Sequence, residues 1–110
     1  VTESWNASIR SWSFPTLASI RGVDPGRIFI VHLNDVERAP RRKMHDALRL
    51  YPGKGIIPLQ AILRNLKAIG YAGAFSVEIF RPQYWARPPL AVAQSAMTST
   101  RKLLRSAGLL

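Results

Sequence analysis

The amino-acid sequence predicts an α/β fold built around a parallel sheet, and three features point there. Two short runs are rich in β-branched and apolar residues: Ile28-Phe29-Ile30-Val31-His32-Leu33 and Ala74-Phe75-Ser76-Val77-Glu78-Ile79-Phe80. Between them lies a stretch with apolar residues at helical spacing. Turn-forming residues separate all three. Near-continuous apolar runs of this length are the pattern of strands covered on both faces, and their alternation with amphipathic helices argues for βαβ units.

Taken in order, residues 14–20, with Pro15 in the first turn, read as a short helix. Asp24-Pro25-Gly26 is a turn signal that opens the first strand, and Asn34 and Asp35 close it with turn formers. From Glu37 to about Arg49 the chain is polar and basic, and reads as a long loop with one helical turn around Met44 to Leu48. Tyr51-Pro52-Gly53-Lys54-Gly55 then excludes regular structure. From Pro58, apolar residues fall at Leu59, Ile62, Leu63, Leu66 and Ile69, with Gln60, Arg64, Asn65 and Lys67 opposite and Gly70 as the stop. That spacing predicts a helix with proline in its first turn and glycine just past its end. After Gly70-Tyr71-Ala72-Gly73 comes the second strand, closed by Pro82. A last helix is predicted from Pro89 to Ala107, with Leu90, Ala93, Met97, Thr100 and Leu104 along one side. Arg101, Lys102 and Arg105 stand near its end, where cations suit the helix dipole.

Composition sets further bounds. The chain has 110 residues, 47% of them hydrophobic, enough for one modest domain. With no cysteine it can form neither disulfides nor thiolate metal sites. No apolar run approaches the roughly 18–20 residues that span a membrane, and no basic-then-apolar leader opens the chain. A cytoplasmic protein is therefore the expectation. The chain begins at Val1 rather than Met and runs straight into Thr2-Glu3-Ser4-Trp5-Asn6, so further sequence upstream is also expected.

Sixteen Lys and Arg against six Asp and Glu give a formal charge of +10, which on its own suggests a polyanionic partner. Only Arg41-Arg42-Lys43 forms a dense basic run, and no aromatic residue interleaves with it as single-strand stacking would require. A short basic loop is the preferred reading, and nucleic acid is not the expected partner.

His32 closes the first strand and Glu78 sits near the end of the second. In parallel α/β folds, groups at the carboxyl ends of strands face the active-site crevice. A carboxylate within an apolar strand is costly unless it is paired, hydrogen-bonded or metal-bound. An imidazole and a carboxylate from neighbouring strands can meet on one divalent ion. The alternatives are a structural histidine and a Glu78 that pairs with an arginine such as Arg81.

The sequence resembles the xylose-isomerase-like barrels of the sugar phosphate isomerase/epimerase family, with its nearest likeness to inosose (2-keto-myo-inositol) isomerase-like proteins. The segments that carry the resemblance are Ile28 to Asp35, Arg49-Leu50-Tyr51-Pro52-Gly53-Lys54-Gly55, Leu59 to Tyr71, and Ser76 to Tyr84. Their order, and the gap of 78 − 32 = 46 residues between His32 and Glu78, make the resemblance specific. It extends through the last helix.

The resemblance implies an eight-stranded TIM barrel, (β/α)8, of which residues 1–110 would supply about the last three βα units, from the end of strand six through helix eight. It implies one divalent metal, Mn²⁺ first and Mg²⁺, Co²⁺ or Zn²⁺ as alternatives, held by Glu, Asp, His and Glu from the last four strands. His32 and Glu78 would be two of these ligands, and Glu78 also a catalytic acid or base. Glu3 would be the third, although Glu3-Ser4-Trp5-Asn6 stands where the family shows an Asp, a small or polar residue, an aromatic and a His. The fourth, a strand-five Glu, would precede Val1. Arg49 would reach the substrate, where its guanidinium fork suits hydroxyl or carbonyl oxygens. Arg81 is the second substrate-binding candidate.

The expected activity is isomerisation or epimerisation of a sugar or inositol ketone, with little or no turnover from this chain alone. Metal-dependent apurinic endonucleases share the superfamily and offer a second reading. They resemble the chain at His32-Leu33-Asn34-Asp35, but here Arg42-Lys43-Met44-His45-Asp46 replaces their following Asp-x-His pair. A truncated, non-enzymatic remnant is the third reading. A full barrel needs roughly 250 residues, and an open piece leaves strand edges and apolar faces uncovered. Self-association is therefore a further expectation.

Overall fold

A computed structural model of the chain describes residues 20–110. Residues 14–19 of the predicted helix and the candidate ligand Glu3 lie outside the described residues, and Ile20 is in a turn. Strand β1 (Ile30–Leu33) runs parallel to β4 (Ala74–Val77), with Ile30 opposite Ala74 and Leu33 opposite Val77. Helix α1 (Leu59–Ala68) makes the crossover between them, which is the predicted βαβ unit. A one-turn helix α2 (Pro82–Trp85) and the long α3 (Pro89–Ser106) follow.

The core lies between this strand pair and the helices. Leu33, Leu59, Leu63, Leu66, Tyr71 and Ala107 are buried together, with Val31, Phe75, Leu103 and Leu104 packed around them. Leu59, Leu63 and Leu66 are buried because their spacing places them on one stripe of α1. The stop after α1 has a clear cause. Gly70 adopts φ +88°, its N–H bonds the Lys67 carbonyl, and the Tyr71 N–H reaches back to the Leu66 carbonyl. This is the glycine C-cap in which the residue after the glycine also packs on the helix, as Tyr71 does on Leu66. The same arrangement, with Gly108 at φ +76°, ends α3.

Several expectations need correction. Both strands are shorter than predicted, and Glu78, Ile79 and Phe80 lie beyond β4. They are also not covered on both faces: Phe29 is 89% exposed, and Ile30 and Phe80 are exposed too. A two-stranded sheet with helices on one side leaves the other face open among the described residues. The apolar side expected of α3 divides, because Leu90 and Met97 face outward while Thr100 is buried.

The loop over 37–49 is more ordered than its composition suggests. Asp35–Val36 (β2) pairs antiparallel with Arg49–Leu50 (β3), and single 3-10 turns form at Arg41–Lys43 and Asp46–Leu48. Asp35 holds the base of this hairpin. Its carboxylate is 1% exposed and accepts bonds from the N–H groups of Gly53 (3.0 Å), Gly55 (2.9 Å), Ile57 (2.9 Å) and its neighbour Val36 (2.9 Å). Gly55 lies so close across β2 that a Cβ there would collide with the Val36 carbonyl and amide and with the Asp35 carboxylate. The Ile56 N–H bonds the Val36 carbonyl at this crossing. Ser99 on α3 donates to the Pro52 carbonyl at 2.5 Å and ties the same turn to the last helix.

Asp35→Ala is expected to destabilise the chain by several kcal/mol, since each buried N–H left without an acceptor costs about 1–3 kcal/mol. Asp24→Ala, which removes an exposed carboxylate bonded only to the Gly26 N–H, should cost about 1 kcal/mol. Urea unfolding of the two variants checks the ranking; equal losses would contradict the role given to Asp35. Gly55→Ala should behave like Asp35→Ala.

Candidate functional site

The period-two alternation of a strand sorts the residues at the end of the parallel pair. Val31 and Leu33 turn toward the helices, whereas Ile30 and His32 turn to the open face. His32 stands opposite Ser76, and Glu78 follows two residues later on the same side. The Glu78 N–H bonds the Leu33 carbonyl at 3.2 Å and so continues the ladder one step past β4. The His32 Nδ1 and Glu78 Oε2 atoms are 4.0 Å apart, with side chains 54% and 48% exposed.

That donor set fits a divalent ion in part. Tetrahedral ligands at ~2.1 Å from a metal lie roughly 3.4 Å apart, so a small adjustment of the half-exposed Glu78 carboxylate would let both groups share one ion. Two donors do not complete a site, since catalytic metals of this kind keep about three protein ligands. Among the described residues no group of three or more His, Asp or Glu side chains is gathered to hold a metal.

The two arginines take different places. Arg49, at the start of β3, donates from Nη1 to the Glu78 carbonyl at 3.3 Å, pairs with Asp46 at 2.8 Å and lies over the Phe80 ring at 5.1 Å. It thus stands beside the His32–Glu78 pair and holds the backbone of one of its members. Arg81 instead bonds Glu37 at 3.1 Å and the carbonyls of Ala47 and Arg49 at 3.4 Å each. It does not pair with Glu78, and its nitrogens brace the 37–49 hairpin.

Tyr51 and Tyr84 stack with centroids 4.2 Å apart, close under this corner, and Arg81 lies 5.8 Å from the Tyr84 ring. Burial pushes the Tyr84 phenol above its ordinary value, an effect that Arg81 opposes. The stability linked to this shift is complete below the ordinary phenol value and is lost as pH rises through the folded one.

Asp35, Glu37 and Asp46 are the contributors that sequence reasoning missed as such. Asp35 reads as a turn former and Glu37 and Asp46 as loop charges. The usable signal was the Gly-Lys-Gly turn, whose amides need an acceptor. His45 and Asp46, the residues weighed in the nuclease reading, are exposed, and Asp46 is tied to Arg49.

Residues 4–103 match the family described as xylose isomerase-like TIM barrel. An inosose isomerase of Bacillus subtilis is 38% identical over 84 residues, which make up 76% of this chain and 30% of that protein. An inosose isomerase of Halalkalibacterium halodurans is 42% identical over 69 residues, 63% of this chain and 24% of that protein. Among solved structures, the IOLI protein with a bound zinc atom superposes with a TM-score of 0.74 at 36% identity, covering 80% of this chain and 32% of that one. A xylose isomerase domain protein from Alicyclobacillus acidocaldarius gives 0.64 at 31% identity, covering 84% and 33%. The chain therefore spans a quarter to a third of the length of these relatives.

The bracing role of Arg81 leads to an expected order of effects. Arg81→Met should destabilise more than Glu37→Gln, because it also strands two carbonyls. The double-mutant coupling should be only about 1 kcal/mol, since Glu37 is partly exposed and screened. Urea unfolding of the four-member cycle measures it, and a zero coupling would remove the ion pair from the account.

Proposed function

The chain belongs to the xylose isomerase-like TIM barrel family, and on that premise we propose that it carries one side of the active site of a divalent-metal-dependent isomerase or epimerase of a sugar or inositol ketone. The observation that carries this reading is the approach of His32 and Glu78 at the carboxyl ends of two adjacent parallel strands, 4.0 Å apart and open to solvent. The relatives named inosose isomerase support the substrate class, and the zinc-bound IOLI protein supports a metal. Mn²⁺ is the ion we assign first.

In this reading His32 and Glu78 hold the metal, with Glu3 as a third ligand. A divalent ion there would supply Lewis-acid polarisation of the substrate's adjacent carbonyl and hydroxyl oxygens, easing proton loss from the hydroxyl-bearing carbon next to the carbonyl. Glu78, besides helping to hold the ion, would accept that proton on its carboxylate and return it as the general acid. Arg49, with Nη1 on the Glu78 carbonyl and Nη2 on Asp46, would offer its remaining N–H groups to the same oxygens and fix the ketone against Glu78. The Arg49 bond to the Glu78 carbonyl keeps base and substrate anchor in register. Arg81, expected to touch the substrate, would serve it by holding the hairpin that carries Arg49.

Epimerisation moves a proton off one face of a carbon and onto the other, which takes two acid–base groups. Glu78 is the one half-exposed carboxylate beside His32 among the described residues, and the second acid–base carboxylate in this reading, a strand-five Glu, would precede Val1. Little or no turnover is therefore expected from these 110 residues alone, and full activity of the isolated chain on inososes or ketoses would refute this part of the proposal.

Thermal unfolding with Mn²⁺ tests the site directly. At about a hundred times its dissociation constant the ion should stabilise the chain by roughly 2.7 kcal/mol. His32→Ala/Glu78→Ala should abolish that shift. A shift shared by the double variant would place the metal elsewhere and overturn the assignment.

A further inference from the structure

A second concave region lies outside the strand-end site and shares none of His32, Glu78, Arg49 or Arg81. It is a groove of about 780 Å³ between the turn after β3 and the outer face of α3. Lys54 lines it from the turn, Arg87 stands just ahead of α3, and Gln94, Ser95, Thr98 and Lys102 come from the helix itself. Residues 91, 94, 95, 98 and 102 recur at helical spacing, so this wall is one continuous face of α3. Tyr51 forms part of the opposite wall. It is 7% exposed, and its hydroxyl finds no hydrogen-bond partner among the described residues.

The groove contains cations, hydroxyl and amide groups and a few apolar side chains, and among the described residues no carboxylate lines it. This follows from how the acidic residues are used. Asp24 caps a turn, Asp35 binds backbone amides, Glu37 pairs with Arg81, Asp46 with Arg49, and Glu78 faces His32. Every acidic side chain among the described residues is thereby engaged elsewhere, and none stands against Lys54, Arg87 or Lys102. A cationic concavity raises the local concentration of anions. Serine and threonine hydroxyls beside Lys and Arg are the donor set that phosphoryl oxygens accept from.

Size and spacing narrow the ligand further. The volume falls within the roughly 300–1,000 Å³ typical of small-molecule sites. Lys102 lies 102 − 89 = 13 residues into α3, so it stands about 20 Å along the helix from its first turn at 1.5 Å per residue. Cations spread along that length are better matched by a ligand with more than one anionic group than by a single phosphate. The apolar side chains Leu90 and Met97, which are exposed, are not part of this lining. Among the described residues no exposed aromatic ring lines the groove either, so none of them would stack on a nucleobase.

We propose that the groove between the Gly53-Lys54 turn and α3 binds a small organic phosphate that carries at least two phosphoryl groups, held by Lys54, Arg87 and Lys102. This site is separate from the strand-end pair and does not depend on the proposed isomerase activity.

Isothermal titration calorimetry of the full chain with tripolyphosphate as the probe tests this. Tripolyphosphate should bind about tenfold more tightly than inorganic phosphate, as expected for multiple contacts. Lys54→Gln/Arg87→Gln/Lys102→Gln should weaken it by about tenfold or more, while Arg41→Gln/Arg42→Gln/Lys43→Gln, which removes the same charge from the exposed basic turn, should change it by less than about threefold. All six side chains are exposed, so both triple variants should keep the parent's unfolding transition. Equal weakening by the two triples would reduce the effect to net charge and overturn the site, as would no measurable binding. An oligonucleotide or a glutamate-rich peptide binding more tightly than tripolyphosphate, with the same loss in the groove variant, would overturn the ligand class.

Discussion

The buried carboxylate of Asp35 is the constraint on which the rest of the site depends. Four backbone amides converge on its two oxygens, three of them from the turn between β3 and α1. A buried charge is tolerable only when its lone pairs are satisfied, and a turn full of outward amides is tolerable only when something accepts from them. Each need answers the other. Because Asp35 stands two residues past Leu33, the last residue of β1, the carboxylate fixes the turn at the carboxyl end of the strand that carries His32. Gly55 is obligatory at the crossing, since no side chain fits between the turn and β2.

From that anchor the consequences run outward in sequence. With the base of the hairpin held, β2 and β3 pair, and Arg49 emerges beside the end of β4, where it bonds the Glu78 carbonyl. Arg81 closes the loop from the other side by bonding Glu37 and two hairpin carbonyls. The pair of arginines thus divides its work. One stands at the open site, and the other, 15% exposed at its side chain, makes the position of the first reproducible. An arginine with five donors can satisfy a carboxylate and two carbonyls at once, which a lysine cannot do with the same geometry.

The elements that sequence reading recovered are those whose signal is periodic or local. Helix α1 was legible from Leu59, Leu63 and Leu66 and from Gly70, and the structure starts and stops it within a residue or two of the expected ends. The parallel pairing of β1 and β4 followed from a helix lying between two apolar runs. The hairpin was not legible, because two-residue strands carry no alternation to read, and their partners are separated by a loop whose charges look like solvated surface. The coverage of the strands was misjudged because an apolar run reports what a strand is suited to pack against, not what lies beside it in the described fold. His32 and Glu78 were singled out partly by chemistry. Their proximity followed from the crossover helix read between two neighbouring strands, and the resemblance added their roles as ligands.

Why the strand ends rather than the helices should carry reactive groups can be argued from the register itself. Parallel strands end together, so residues one or two steps past the last ladder bond are delivered side by side, with backbones held and side chains free of the pleat. Glu78 is in this position. Its amide is still bonded to Leu33 and its carbonyl to Arg49, yet its carboxylate is half exposed. Such a residue combines a fixed Cα with a mobile carboxylate. That combination suits a group asked both to hold an ion and to move a proton, because the carboxylate can shift by a fraction of an ångström without cost to the ladder. His32 is one residue short of the end of β1 and correspondingly more constrained, which suits a ligand that only has to stay. The same reasoning bears on the acidic side chains among the described residues, which are so fully engaged. Asp35, Glu37 and Asp46 each hold backbone or arginine in place so that one carboxylate, Glu78, is left at the open end of the sheet.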